Sequence, residues 1–389
     1  MGVIVGVTLL VYGTRLGPPP PLTPAETALV REAQSVASTG RGTSGRQAPL
    51  FFQVSDEVWL QPMAVYATAG FLWVTSSTAE WGSRLATVRI AVISALLMYL
   101  LARRLSGREW IAVSAPVLLL LTPAMFVHAR AATDAPYALP FFLGWLYCLL
   151  VFLDRPRIWV LAVAGLVLGL GVYSQPAAPI TMASLAALTI VVMWNAGYRG
   201  PRQYAAFAAG FTLPLMVMAV WFASYPDTYR DTMGRWAIHQ AHIRFPLDGW
   251  RAFINWTTLG TRTSLYWDFF DPAWLFFSGP DRGGLLRGAA PFLLPMAVLA
   301  PFGVTRVVAK PAAAIALIGG IVIAPMAAST FGEAHNIAQA LTVVPLVVLL
   351  AGLGVEPLFE KTVAWRALGF VLLALVPLQF GVFYVSRLP

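Results

Sequence analysis

Residues 84–127 read RLATVRIAVISALLMYLLARRLSGREWIAVSAPVLLLLTPAMFV. Two apolar runs, 84–102 and 109–127, flank a short basic turn containing Arg103, Arg104 and Arg108. Each run approaches the roughly 20 residues that carry a helix through the hydrocarbon core of a bilayer. Unpaired peptide groups are too costly in lipid, so each run must be helical. The stretch therefore predicts a helical hairpin across a membrane, with its basic turn on the cytoplasmic side, where Lys and Arg accumulate.

The pattern repeats in both directions. Apolar runs bounded by charge or by Pro and Gly clusters fall near 1–15, 135–153, 158–174, 178–195, 204–223, 288–305, 311–328, 337–355 and 367–385. With the opening pair they predict an all-α polytopic membrane protein of about eleven transmembrane helices, 1–389 forming a single membrane domain. Composition agrees, because the 389 residues are 58% hydrophobic and 11% charged, with a mean hydropathy of +0.72, where a soluble domain has roughly 25% charged residues. The net charge of +9 is spread over segment ends, which points to topology and away from nucleic acid. Met1 to Tyr12 is apolar without a basic leader, and is expected to be the first membrane helix, retained and short for a span. Cys148, the one cysteine, lies inside an apolar run and has no partner for an intramolecular disulfide.

Orientation follows from the short loops. Arg155 and Arg157, Arg199 and Arg202, Arg306 and Lys310, and Lys361 and Arg366 fall on the same side as the opening basic turn, so these loops and the N-terminus are expected in the cytoplasm. Two long loops, roughly 16–83 and 224–287, then face outward and are expected to carry interfacial helices rich in aromatic anchors. Of the 17 acidic residues only Glu109, Asp154, Glu356 and Glu360 are placed inside; the other 13 and all four histidines are placed outside. Polar chemistry is therefore expected at the outer surface.

Glu80 with Arg84, and Arg130 with Asp134, stand at i,i+4, a spacing that puts each pair on one helical face. They read either as boundary ion pairs or as a cleft in which arginines hold a phosphate. Asp56 and Glu57 form an acidic pair in the first loop, either solvated or available as a general base. His239 and His242 at i,i+3, near Asp231 and Asp248, lack a third ligand at convincing spacing, so a divalent metal is not supported. Gly165 and Gly169 form a G-x-x-x-G that predicts close helix packing. There is no phosphate-binding Walker loop, no dinucleotide glycine fingerprint and no row of ionisable residues inside a span, which argues against a primary pump.

The order of these features resembles the C-type, polyprenyl-phosphate-sugar-dependent glycosyltransferases of bacteria, in particular the family 39 and aminoarabinose-transferase-like group related to protein mannosyltransferases. Thr39-Gly40-Arg41 through Ala48-Pro49-Leu50-Phe51-Phe52 is similar to the family's first outer loop, and Gln61-Pro62-Met63 with Tyr66 to its proline-containing segment. Glu80 to Leu85 resembles the entry into the second span, and Thr122-Pro123 with Arg130 and Asp134 the end of the third. Tyr266 to Gly279, YWDFFDPAWLFFSG, resembles a segment of the large second loop, and His335 to Pro345 the late outer turn.

The resemblance implies an inner-membrane enzyme that transfers a sugar from a polyprenyl-phosphate carrier to a lipid, glycan or protein acceptor at the outer face. It implies Glu80, Arg84, Arg130, Asp134, Tyr266 and His335 at the substrate and an outer-loop carboxylate as base. The sequence departs from the family where an Asp-Glu pair follows the first span. Ala25 takes the place of the catalytic Asp in Thr23-Pro24-Ala25-Glu26, and Gly42-Thr43 replaces a second acidic pair. Either Glu26, Asp56 or Glu57 is the base, or the chain is a silent relative that binds a lipid or a partner protein.

Overall fold

The computed structural model describes residues 2–13, 22–55, 58–75, 77–237, 243, 245–279, 285–286 and 288–387. Each apolar run is helical. The first is α1 (Gly2–Gly13), followed in the first long loop by α2 (Pro24–Thr39), strands β1 (Phe52–Ser55) and β2 (Val58–Leu60), and α3 (Pro62–Thr75). The strands pair antiparallel as a small hairpin, an element that the all-helical expectation did not contain. Next come α4 (Ala79–Ser106), α5 (Glu109–Leu120), α6 (Pro123–Arg130), α7 (Ala138–Asp154), α8 (Ile158–Gly171), α9 (Ala178–Asn195) and α10 (Pro201–Ser224). The second long loop holds α11 (Pro226–Trp236), α12 (Pro246–Phe253), α13 (Trp256–Asp268) and α14 (Pro272–Phe276). The chain ends with α15 (Leu294–Val307), α16 (Pro311–Thr330), α17 (Val343–Glu360) and α18 (Val363–Arg387).

Among the described residues seven helices are long and apolar enough to cross a membrane, or eight if the bent pair α5 and α6 is one span. α1, α8 and α15 have 12, 14 and 14 residues, so the expected eleven crossings are not reached by length alone. The 62° bend between α5 and α6 falls at Thr122-Pro123. Pro123 lacks an N–H to continue the helix and drives Thr122 into extended backbone, at ψ 125°.

Burial sorts the helices. α17 is mostly enclosed, whereas only 11% of the apolar window of α10 and 22% of that of α18 is covered by the protein. Leu213, Met216, Val217 and Val220 of α10 stand exposed, a surface stable in lipid and costly in water. α10 packs on α8 through the glycine motif: a Cβ on Gly165 would lie 2.2 Å from the Phe207 carbonyl oxygen, and one on Gly169 2.5 Å from that of Phe211. The expected close packing is thus present, and it needs the missing side chains.

The end of the bundle that carries the basic turns is stitched by ion pairs. Arg108 bonds both Glu356 (3.0 Å) and Glu360 (2.6 Å), Arg306 bonds Glu356 (3.0 Å), Arg104 bonds Asp154 (2.8 Å) and Arg103 approaches Glu109 (3.5 Å). These pairs tie the starts and ends of α4, α5, α7, α15 and α17 together. The opposite end carries the two long loops.

Candidate functional site

Thr23-Pro24-Ala25-Glu26 starts α2 with a complete capping box: the Thr23 hydroxyl accepts from the Glu26 N–H, and the Glu26 carboxylate accepts from the Thr23 N–H at 2.9 Å. The remaining carboxylate oxygen turns inward. It accepts from Arg84 Nε of α4 at 3.3 Å and from the Ala132 N–H, just beyond α6, at 3.0 Å. Glu26 and Arg84 are both buried, at 2% and 6% exposure. Burial pushes the Glu26 pKa up, but the N–H groups of Thr23 and Ala132 together with Arg84 outweigh it and hold the carboxyl below its ordinary value. Glu26 is thus an ionised anchor that fastens α2 onto the bundle. Glu32, also buried, fastens the next stretch by accepting from the Thr43 N–H (2.9 Å) and hydroxyl. Gly42-Thr43 therefore closes onto an acid eleven residues earlier.

The two i,i+4 expectations are corrected by the structure. Glu80 stays exposed while Arg84 is buried and pairs with Glu26, because the helix turns Arg84 toward α2. α6 ends at Arg130 and Ala131 is extended, so Arg130 and Asp134 do not share a helical face. Arg130 lies over the Phe126 ring (4.8 Å), hydrogen-bonds to Tyr384 of α18, and is within electrostatic reach of Tyr12 and of Arg84. The structure thus brings Arg84 and Arg130 into one neighbourhood at the loop end, with Glu26 between α2 and them.

Asp134 lies within electrostatic reach of Arg235 of α11, a neighbour that no local spacing announces. Burial raises its carboxyl to about 6, against the opposing pull of a backbone N–H and of Arg235. Arg235 lines a narrow cleft with Trp59, Gln61, Pro176, Thr232 and Trp236. The two long loops are clasped there: the indole N–H of Trp59 donates to Asp231 at 2.8 Å. Gln61 and Gln175 are buried, and among the described residues their side-chain oxygens lack donors. Sequence reasoning named Gln61 only as part of a segment and missed Gln175, Arg235 and Glu32.

Tyr266 sits on α13 of the second loop and His335 in the turn between α16 and α17. The Tyr266 hydroxyl donates to the Val322 carbonyl of α16 at 2.9 Å. His335 stacks on Trp274 with centroids 4.6 Å apart, and its Nε2 is 3.2 Å from the Asp268 carbonyl oxygen. Both are engaged in packing the loop. Asp56, Glu57, His239 and His242 lie outside the described residues. Among the described residues no three His, Cys, Asp or Glu side chains come together as a metal site.

Residues 61–222 match the family described as dolichyl-phosphate-mannose-protein mannosyltransferase. No curated protein matches the sequence. Among solved structures the chain is similar to ArnT from Cupriavidus metallidurans bound to undecaprenyl phosphate, with a TM-score of 0.64 and 14% identity over 100% of this chain and 71% of that one. The same enzyme in the apo state gives 0.60 and 16% over 91% and 59%. The oligosaccharyltransferase of Archaeoglobus fulgidus, complexed with zinc and sulfate, gives 0.55 and 12% over 99% and 52%. The chain thus spans between about half and 71% of the length of these proteins. The apolar spans, the matched segment and the shared architecture together show a multi-span membrane protein with the fold of ArnT, resembling the family 39 and aminoarabinose-transferase-like C-type glycosyltransferases.

Proposed function

We propose that this chain is a bacterial inner-membrane glycosyltransferase that moves a sugar from a polyprenyl-phosphate carrier to an acceptor at the loop end of the bundle, on the outer face. The observation that carries this reading is that Arg84 and Arg130 lie within electrostatic reach of each other at that end. Guanidinium groups match phosphate oxygens in geometry and charge, and two of them stabilise a phosphate that leaves the sugar with its negative charge developing. The similarity to an enzyme solved with undecaprenyl phosphate points to the same carrier class.

Glu26 serves this reaction as a positioning residue. Its carboxylate already accepts from four donors, Thr23 N–H and hydroxyl, Arg84 and Ala132 N–H, so taking a proton would break the contacts that hold Arg84. Asp134, with a carboxyl at about 6, is the described acid best matched to accept a proton from an acceptor hydroxyl near neutral pH. Asp56 and Glu57 remain base candidates beside it. One observation favours a second reading: with Ala25 in the family's base position and Glu26 saturated, a silent subunit that binds lipid or a partner protein needs no further change.

The test is sugar release by the purified protein from a panel of radiolabelled polyprenyl-phosphate sugars, with Arg130→Ala and Asp134→Asn beside the wild type. Wild-type turnover lost in Arg130→Ala supports the enzyme, and loss in Asp134→Asn assigns the base. A folded wild-type protein that releases no sugar from any donor selects the silent reading. For orientation, a reporter after Arg202 is expected inside the cell and one within 224–287 outside; the reverse would overturn the outer-face assignment.

A further inference from the structure

An open groove of about 370 Å³ runs between the first loop and the last turns of α10. Its walls are Pro49 and Leu50, the Tyr66 ring, and Val217, Val220 and Trp221 of α10. The Tyr66 hydroxyl donates to the Pro49 carbonyl at 2.8 Å, which fixes one wall. The opposite wall belongs to the membrane helix least covered by protein, so the groove opens sideways to the bilayer.

A cation stands beside the groove, next to its lining. Tyr225, at the end of α10, lines the groove, and the Arg46 guanidinium lies over its ring at 4.6 Å and near the Trp59 ring at 5.7 Å. Among the described residues Arg46 makes no ion pair, and its buried Nη1 has no hydrogen-bond partner. Trp221 and Tyr225 pack with ring centroids 4.3 Å apart and planes tilted by 38°, an aromatic pair of the kind that marks the headgroup level of a membrane. A half-enclosed cation at that level, above an apolar slot leading toward the hydrocarbon, complements one kind of ligand: an amphiphile with an anionic head at the interface and a chain below it.

We propose that this groove holds an anionic phospholipid of the bilayer, its phosphodiester on Arg46 and one acyl chain against Val217 and Val220. The lipid then forms part of the seat of the first loop, since the residues it touches, from Arg46 to Leu50, continue into Phe51, which stacks on Phe222 of α10 at 5.8 Å. The groove shares no lining residue with the donor phosphate site proposed above and does not depend on transfer chemistry.

The test is binding of dioleoyl-phosphatidylglycerol, compared with dioleoyl-phosphatidylcholine, to the purified full chain in detergent, read by native mass spectrometry. Wild type is expected to prefer the anionic lipid about tenfold, as one charge-assisted hydrogen bond allows. Arg46→Gln should bring the two lipids level, and Val220→Trp, which fills the slot from an exposed position, should weaken both. Thermal unfolding of each variant confirms that it is folded. An unchanged preference in Arg46→Gln, or unchanged binding in Val220→Trp, would overturn the proposal. Displacement of phosphatidylglycerol by equimolar polyprenyl phosphate would also overturn it, by assigning the groove to the sugar carrier.

Discussion

At the basic end of the bundle, Arg108 and Arg306 converge on Glu356, a carboxylate with no exposed surface, while Arg104 and Arg103 meet Asp154 and Glu109. At the loop end, Arg84 and Arg130 lie within electrostatic reach of each other, Arg84 is held by a buried ion pair to Glu26, and an exposed pair joins Arg230 to Asp227 within α11. The two ends use the same residue types under different constraints. The basic end spends its arginines on acids from other helices and fastens the bundle. The loop end gathers arginines, buried amides and an acid of raised pKa beneath two clasped loops, an arrangement that fits the recognition of an anionic, hydroxyl-rich substrate. The contrast is one of degree, since Arg104 Nε and Glu356 Oε2 at the basic end also lack partners among the described residues.

The largest effect that would sharpen this contrast is on turnover. Arg130→Ala is expected to lower sugar transfer by about two to three orders of magnitude, the scale of losing one group that stabilises developing charge, while the unfolding temperature in detergent moves little. Glu26→Gln should come next, on stability. It removes the carboxylate partner of a buried cation and should cost about 3–5 kcal/mol, read as unfolding and as faster proteolysis within 22–50. If residual transfer in that variant keeps the wild-type pH profile, Glu26 is an anchor; a profile that loses its acidic limb would make it the base.

A third effect concerns pH. Asp134 has its folded pKa raised to about 6 from the ordinary value of 3.8, so the native state holds a proton that the unfolded chain releases between those values. Stability from this group is therefore present at low pH and lost as pH rises through about 6, by about 2–3 kcal/mol. Glu26 acts in the opposite sense, because its lowered pKa gives stability that disappears as pH falls. Denaturation between pH 4 and 7 should show the Asp134 slope in the wild type and lose it in Asp134→Asn. The smallest effect belongs to the basic end: Glu356→Gln should cost about 2 kcal/mol, since its arginine partners are half-exposed and screened. It should leave the affinity for the sugar donor unchanged. A comparable loss of transfer from Glu356→Gln would break the division of labour.

The spans were legible because hydropathy is a property of consecutive residues. Every apolar run became helical, the run 109–127 as the bent pair α5 and α6, and the basic turns gathered at one end. What could not be read was which polar residues would meet. Arg84 pairs with Glu26, 58 positions earlier, and Asp134 comes within electrostatic reach of Arg235 in the second loop, whereas helical spacing gave Glu80 and Arg130 as partners. Trp59 and Asp231 are 172 residues apart. The β1–β2 hairpin was missed for another reason, since a strand of three or four residues beside interfacial aromatics carries too few positions to show alternation.

The most direct test of the account is a side-by-side measurement of sugar release from a polyprenyl-phosphate donor by wild type, Arg130→Ala and Glu356→Gln, all confirmed folded. Turnover is expected in wild type and Glu356→Gln, with its loss in Arg130→Ala. Equal turnover in all three proteins, or loss in Glu356→Gln alone, would contradict the assignment of the site to the loop end.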